Sequence, residues 1–98
     1  MSSSRSEEMI LKCIDRGLEV LGTNVKQTIY WHLESKFKVK KEEIPDKIDV
    51  FVNMLRKLFG SGARIIEEII ISEMVKEFGI KLKARSLEEA VRELRRKA

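Results

Sequence analysis

The chain has 98 residues, 43% hydrophobic and 37% charged, with one proline, five glycines and a formal net charge of +4. Surface scaling for that length gives ~5,800 Å² folded against ~16,500 Å² unfolded, about 65% buried, which is room for a single domain over residues 1–98. Disorder and collagen-like or low-complexity architecture are excluded by composition, while one cysteine and one histidine exclude an internal disulfide and the usual metal-ligand clusters.

In chain order, residues 1–5 read as a flexible N-terminus, and a Ser4-Arg5-Ser6-Glu7 capping pattern opens a first helix from about Ser6 to Leu21, stopped by Gly22. Its stripe of Ile10, Ile14, Leu18 and Leu21 is widened by Met9, Leu11, Cys13 and Val20, which implies two neighbours. A second helix starts at Thr23 or Asn24 and continues to Lys36, with Val25, Ile29, Tyr30 and Leu33 apolar. Phe37 to Lys40 alternates as a short extended segment, Lys41 to Ile44 reads as loop, and Pro45 ends it.

The third helix is expected over Asp46 to Phe59, with Ile48, Phe51, Leu55, Leu58 and Phe59 on one side. Gly60-Ser61-Gly62 makes a turn, and a fourth helix from Ser61 or Gly62 to Phe78 carries Ile65, Ile66, Ile69, Ile70, Ile71, Met74, Val75 and Phe78 around most of its circumference. Such a helix belongs at the centre of the fold. Gly79 closes it, Ile80 to Lys83 connects, and Ser86-Leu87-Glu88-Glu89 is a capping box opening a fifth helix with a narrow seam of Leu87, Ala90, Val91 and Leu94. The fold class is therefore all-α, about five helices around a hydrophobic fourth.

No apolar run approaches the ~18–20 residues needed to cross a bilayer. The first residues lead into Glu7 and Glu8 rather than a secretory hydrophobic region, and neither Ser2 nor Cys13 suits a lipid anchor. A cytoplasmic protein without membrane contact is expected.

Metal or triad chemistry needs convergent ligands, or a nucleophile with a base. One histidine and one cysteine supply neither, so no enzyme, cofactor or metal is expected. Cys13 reads as an inert core thiol. Ser61, Gly62 and Arg64 place amides and a cation at a helix start, as anion sites do, although a tight turn explains the glycines as well. Glu67 falls inside the apolar arc of its helix and needs a partner, for which Lys26 and His32 are candidates.

Tyr30-Trp31-His32 is the densest cluster of unusual side chains and the candidate partner-binding site. Tyr30 and His32 border the apolar stripe, and Trp31 projects from the other face. Either another element covers it, as the usual burial of tryptophan favours, or it anchors a partner. Residues 80–98 hold seven cations and three carboxylates, a net +4 that equals the whole chain's excess. Within them Arg85, Arg92, Arg95, Arg96 and Lys97 are the candidate nucleic-acid contacts, against the plainer reading of a solvated helix face.

The run Gly17-Leu18-Glu19-Val20-Leu21-Gly22, Val25 through Tyr30-Trp31-His32-Leu33, Glu43-Ile44-Pro45, Phe51, Leu55, Phe59-Gly60-Ser61-Gly62-Ala63 and Ile66-Glu67 resembles the archaeal nitrosopumilus output domain family and its single-domain relatives. The resemblance covers Gly17 to Gly79. It implies an all-helical output or interaction module of signalling proteins, with no catalytic residues to carry over. Two functions follow: a regulatory or protein-interaction module, self-associating as a homodimer or binding another protein, and, as the alternative, a nucleic-acid binder using the basic C-terminal segment.

Overall fold

The computed structural model describes residues 5–79 and 81–97. Within them five helices form: α1 (Arg5–Glu19), α2 (Thr23–Phe37), α3 (Ile48–Phe59), α4 (Ala63–Phe78) and α5 (Leu87–Lys97). Single 3₁₀ turns at Lys41–Glu43 and Gly60–Gly62 join α2 to α3 and α3 to α4, and no strand occurs among the described residues. The fold is all-α, as expected. Ser4 lies outside the described residues, and Arg5 already belongs to α1.

The helices enclose one core. α4 packs against α1, α3 and α5, and α1 touches α2, α4 and α5. The width of the α1 stripe thus serves three neighbours rather than two. From α4 the core takes Ala63, Ile66, Ile70 and Met74, spaced three, four and four apart down one face. Ile66, Ile70 and Met74 are buried, whereas Ile65 is 61% exposed, so the apolar circumference of α4 is not covered all round. Leu87, Ala90, Val91 and Leu94 of α5 are all buried, as their spacing requires.

α1 and α4 approach closely at Gly17. A Cβ built there would stand 2.6 Å from Ile70 Cγ1 and 3.0 Å from Ile70 Cα. The missing side chain is what lets the two helices touch backbone to backbone. Gly79, in the left-handed region at φ 68°, closes α4 with its N–H donated to the Val75 carbonyl at 3.0 Å.

Several local expectations are corrected. α1 ends at Glu19, two residues early, because Gly22 at φ 112° serves as the residue before α2, and the Thr23 hydroxyl donates to the Glu19 carboxylate at 2.8 Å instead of capping α2. Phe37 to Lys40 is not an extended segment. Phe37 completes α2, and Lys38 turns left-handed at φ 58° while the amides of Lys38 and Val39 donate to the carbonyls of Glu34 and Leu33. That turn drives Val39 into the core, and Ile44 and Pro45 of the following connection are buried too. α3 starts at Ile48, two residues after Asp46, and buries Phe51, Val52, Met54 and Leu55, leaving Leu58 and Phe59 exposed at 39% and 38%.

Candidate functional site

α2 lies on the domain with one edge against α1 and the other along α3. On the α1 edge, Asp15 of α1 accepts from the Tyr30 hydroxyl at 3.1 Å and from the Lys26 ammonium at 3.2 Å, and Lys41 stands 3.6 Å away. Partial burial opposes the Asp15 charge, but the hydrogen bonds from Lys26 and Tyr30 outweigh it and hold the carboxyl below its ordinary range. Burial, and then the Asp15 carboxylate, push the Tyr30 phenol above its own range. Tyr30 is thus a bracket between α1 and α2, with Lys41 over its ring at 5.2 Å.

Trp31 and His32 belong to the other side. Trp31 is 64% exposed, so no element of the described chain covers it. His32 is half-buried, its ring tilted 54° to Trp31 at 6.5 Å and 52° to Phe37 at 6.2 Å. Two shallow grooves lie along the α2–α3 seam. One, of about 350 Å³, lies between Asn24, Val25, Thr28 and Ile29 of α2 and Leu58 and Phe59 at the end of α3. The other, of about 390 Å³, lies between Phe37 and the outer flank of α3 at Val50, Asn53, Arg56 and Lys57. Lys57 holds its ammonium 5.5 Å above the Phe37 ring. The structure therefore separates the three aromatic candidates, assigning Tyr30 to internal packing and Trp31 and His32 to an open surface. Leu58 and Phe59 join that surface. Periodicity placed them with the core because their spacing continues the stripe of α3 by one turn, where an open groove separates them from α2.

The basic C-terminal residues divide in a comparable way. Arg95 donates to the Pro45 carbonyl at 3.0 Å and to Asp46 at 2.6 Å, and also to the Glu7 carboxylate. It is a clasp between α5, the start of α3 and α1, and its guanidinium is not available as the phosphate contact suggested by the charge map. Arg85, Arg92 and Arg96 are exposed, and the Arg85 amide donates to Glu89 at 3.0 Å. The Lys97 side chain lies outside the described residues. The Ser86 capping box forms by half: Ser86 Oγ accepts from the Glu89 amide at 3.2 Å, while the Glu89 carboxylate takes the Arg85 amide instead of that of Ser86.

Glu67 is buried and fully explained, though not by Lys26 or His32. Its Oε1 accepts the Leu87 amide at 3.1 Å, and Arg56 stands 3.8 Å from Oε2. A carboxylate on α4 thereby caps the positive end of α5, satisfying an orphan amide at the same time. The glycine turn before α4 makes a 3₁₀ loop with Ser61 exposed; Ser61 and Arg64 line one shallow hollow with Arg56 and Glu67, and Arg64 also pairs with Glu68 at 3.5 Å. Cys13 is 1% exposed with its thiol against the Glu73 carbonyl at 3.6 Å. Burial, helped by Glu77 and Glu73, pushes it up to about 11.

Among the described residues, no group of three or more histidine, cysteine or acidic side chains is arranged to hold a metal ion, and no helix is long and apolar enough to cross a membrane. Fold and surface together define a small all-helical domain with one exposed aromatic seam. The chain belongs to the Nitrosopumilus output domain 5 family, whose sequence profile matches residues 4–96. It is also similar to PH0832 from Pyrococcus horikoshii OT3, whose crystal structure superposes with a TM-score of 0.86 at 30% identity, covering 95% of this chain and 96% of that one. No curated protein sequence matches it significantly.

Proposed function

We propose that the domain is a non-catalytic regulatory module that works by binding another protein through the α2–α3 seam. The observation that carries this is the 64% exposure of Trp31 on α2, the helix that lines one groove opposite Leu58 and Phe59 and supplies Phe37 to the other. Large aromatics left in water next to a concave apolar surface are the usual anchors of an interface. The family's description as an output domain agrees with such a role. The residue types that could do chemistry are engaged elsewhere: Cys13 is buried under α4, His32 sits between two rings, and Glu67 caps α5.

The test is chemical crosslinking of the tagged domain in a lysate of its source cells, followed by mass spectrometry, with Trp31→Ala and Leu58→Asp run in parallel. Both positions are exposed, so the variants keep the helical circular dichroism of the parent. The proteins crosslinked to the parent are expected to be lost from both. An identical set captured by all three would refute binding through the seam.

A further inference from the structure

We infer that the occupant of the α2–α3 seam is an acidic amphipathic helix of a partner protein; this rests on the proposed binding role and names the chemistry of the partner. Val25, Ile29, His32 and Lys36 stand four, three and four residues apart, so they form one row along α2. The row begins apolar at the first groove and ends on an exposed lysine. Across the seam, the second groove is flanked by Arg56 and Lys57. No carboxylate lines either groove, and among the described residues Lys36 and Lys57 meet no carboxylate. Several other cations of the domain are paired. Lys26 and Lys41 face Asp15, Lys12 and Arg16 face Glu77, and Arg64 faces Glu68. Arg56 stands 3.8 Å from Glu67, which leaves Lys36 and Lys57 as the cations at the seam open to an outside anion, and opposite-charge borders around apolar anchors are how a groove selects its ligand.

A helix fits better than other occupants. Two crossing helices with an open valley between them accept a third by ridge-and-groove packing, with anchors one to two turns apart, and the described chain has no strand edge to extend. A second copy is a poor match. Its exposed isoleucine, Ile65, is followed by Glu68, but Arg64 already neutralises that carboxylate. Single-stranded nucleic acid would need free ring faces for stacking. Lys57 already covers Phe37, and the rings of Trp31, His32 and Phe37 are tilted by more than 50° from one to the next.

The chain has one tryptophan, so Trp31 fluorescence reports docking directly. The probe is a tryptophan-free helical peptide of ~15 residues with leucines spaced three and four apart and glutamates beside them. Its twin carries lysines in place of the glutamates. The acidic peptide is expected to bind saturably with a blue shift. Its affinity should fall as salt rises from ~0.1 to ~1 M, over which the Debye length shrinks from about 10 to about 3 Å. Lys36→Glu with Lys57→Glu should weaken it by about tenfold, and the lysine twin should not bind.

Equal binding of both peptides, or none by the acidic one, overturns the inference. So does an oligonucleotide that competes for the same Trp31 signal, or self-association of the domain abolished by Leu58→Asp. If the acidic peptide fails while crosslinked partners are still lost in Leu58→Asp, the acidic helix is wrong and the binding role stands. If the variants also crosslink as the parent does, both fail.

Discussion

Replacing Gly17 by alanine sets two known effects against each other at one atom. Alanine in a helix interior gains up to about 1 kcal/mol over glycine. At Gly17 the added methyl would stand 2.6 Å from Ile70 Cγ1 and 3.0 Å from Ile70 Cα. Neither atom moves easily, since one is backbone and the other is a branch of a β-branched side chain whose χ1 is held by its helix and by the core. α1 and α4 must separate instead, and overpacking of that kind costs about 1–3 kcal/mol. The net expectation is a loss of about 1–2 kcal/mol, which for a domain of this size lowers the midpoint by roughly 5–15 °C. Thermal and urea unfolding followed by circular dichroism measure it. Ile70→Ala supplies the control: alone it should cost about 2–5 kcal/mol, and in its background Gly17→Ala should cost ~1 kcal/mol less than in the parent, because the Cγ1 obstacle has gone. A neutral or stabilising Gly17→Ala, or the same cost in both backgrounds, would refute the close approach.

Arg95→Met should destabilise by about 1–2 kcal/mol, because it leaves the Pro45 carbonyl without its donor as well as breaking two ion pairs, while Arg96→Ala should stay within about 0.5 kcal/mol of the parent. Equal midpoints for the two would remove the clasp. Glu67→Leu strands the Leu87 amide and should cost about 1–3 kcal/mol, whereas Glu67→Gln keeps an acceptor in place and should recover most of it; urea titration separates them. The Cys13 thiol, pushed up to about 11, should resist a disulfide reagent at mildly alkaline pH until denaturant is added. Its proton is held more tightly in the folded state than in the unfolded one. Its contribution is therefore intact at neutral pH and is lost as the pH rises toward about 11, so urea midpoints should fall more steeply over that range in the parent than in Cys13→Ala.

The helices were legible because apolar spacing is a local property. α5 shows this best: Leu87, Ala90, Val91 and Leu94 read as a seam and are buried as one. What periodicity cannot carry is which helix covers which face. Ile65 and Leu58 continue apolar stripes in sequence and end in water. Val39 and Ile44 lie in segments without helical period, yet the left-handed turn at Lys38 and the chain reversal at Pro45 carry them inward. Trp31 was the hardest to place, because its usual burial argued for a cover and its angular position argued against one. Partners over long range were out of reach in principle. Glu67 announced that it needed a donor, but nothing local could say that the donor is an amide 20 residues on, at the start of another helix.

The Arg95 clasp joins α5 to Glu7, 88 residues away, and to the turn before α3. On a ribosome α1 emerges first, but α4 and α5, against which it packs, emerge last. Its apolar face, with Ile10, Ile14 and Leu18, must stay unpaired or be shielded while most of the chain is made, since no nearer segment covers it fully. α3 and α4, adjacent in sequence and joined by one tight turn, can meet earlier at a lower entropic cost. Completion of the bundle is thereby tied to synthesis of its final turns, and a chain stalled before Arg95 lacks the residue that fastens its first helix to its last.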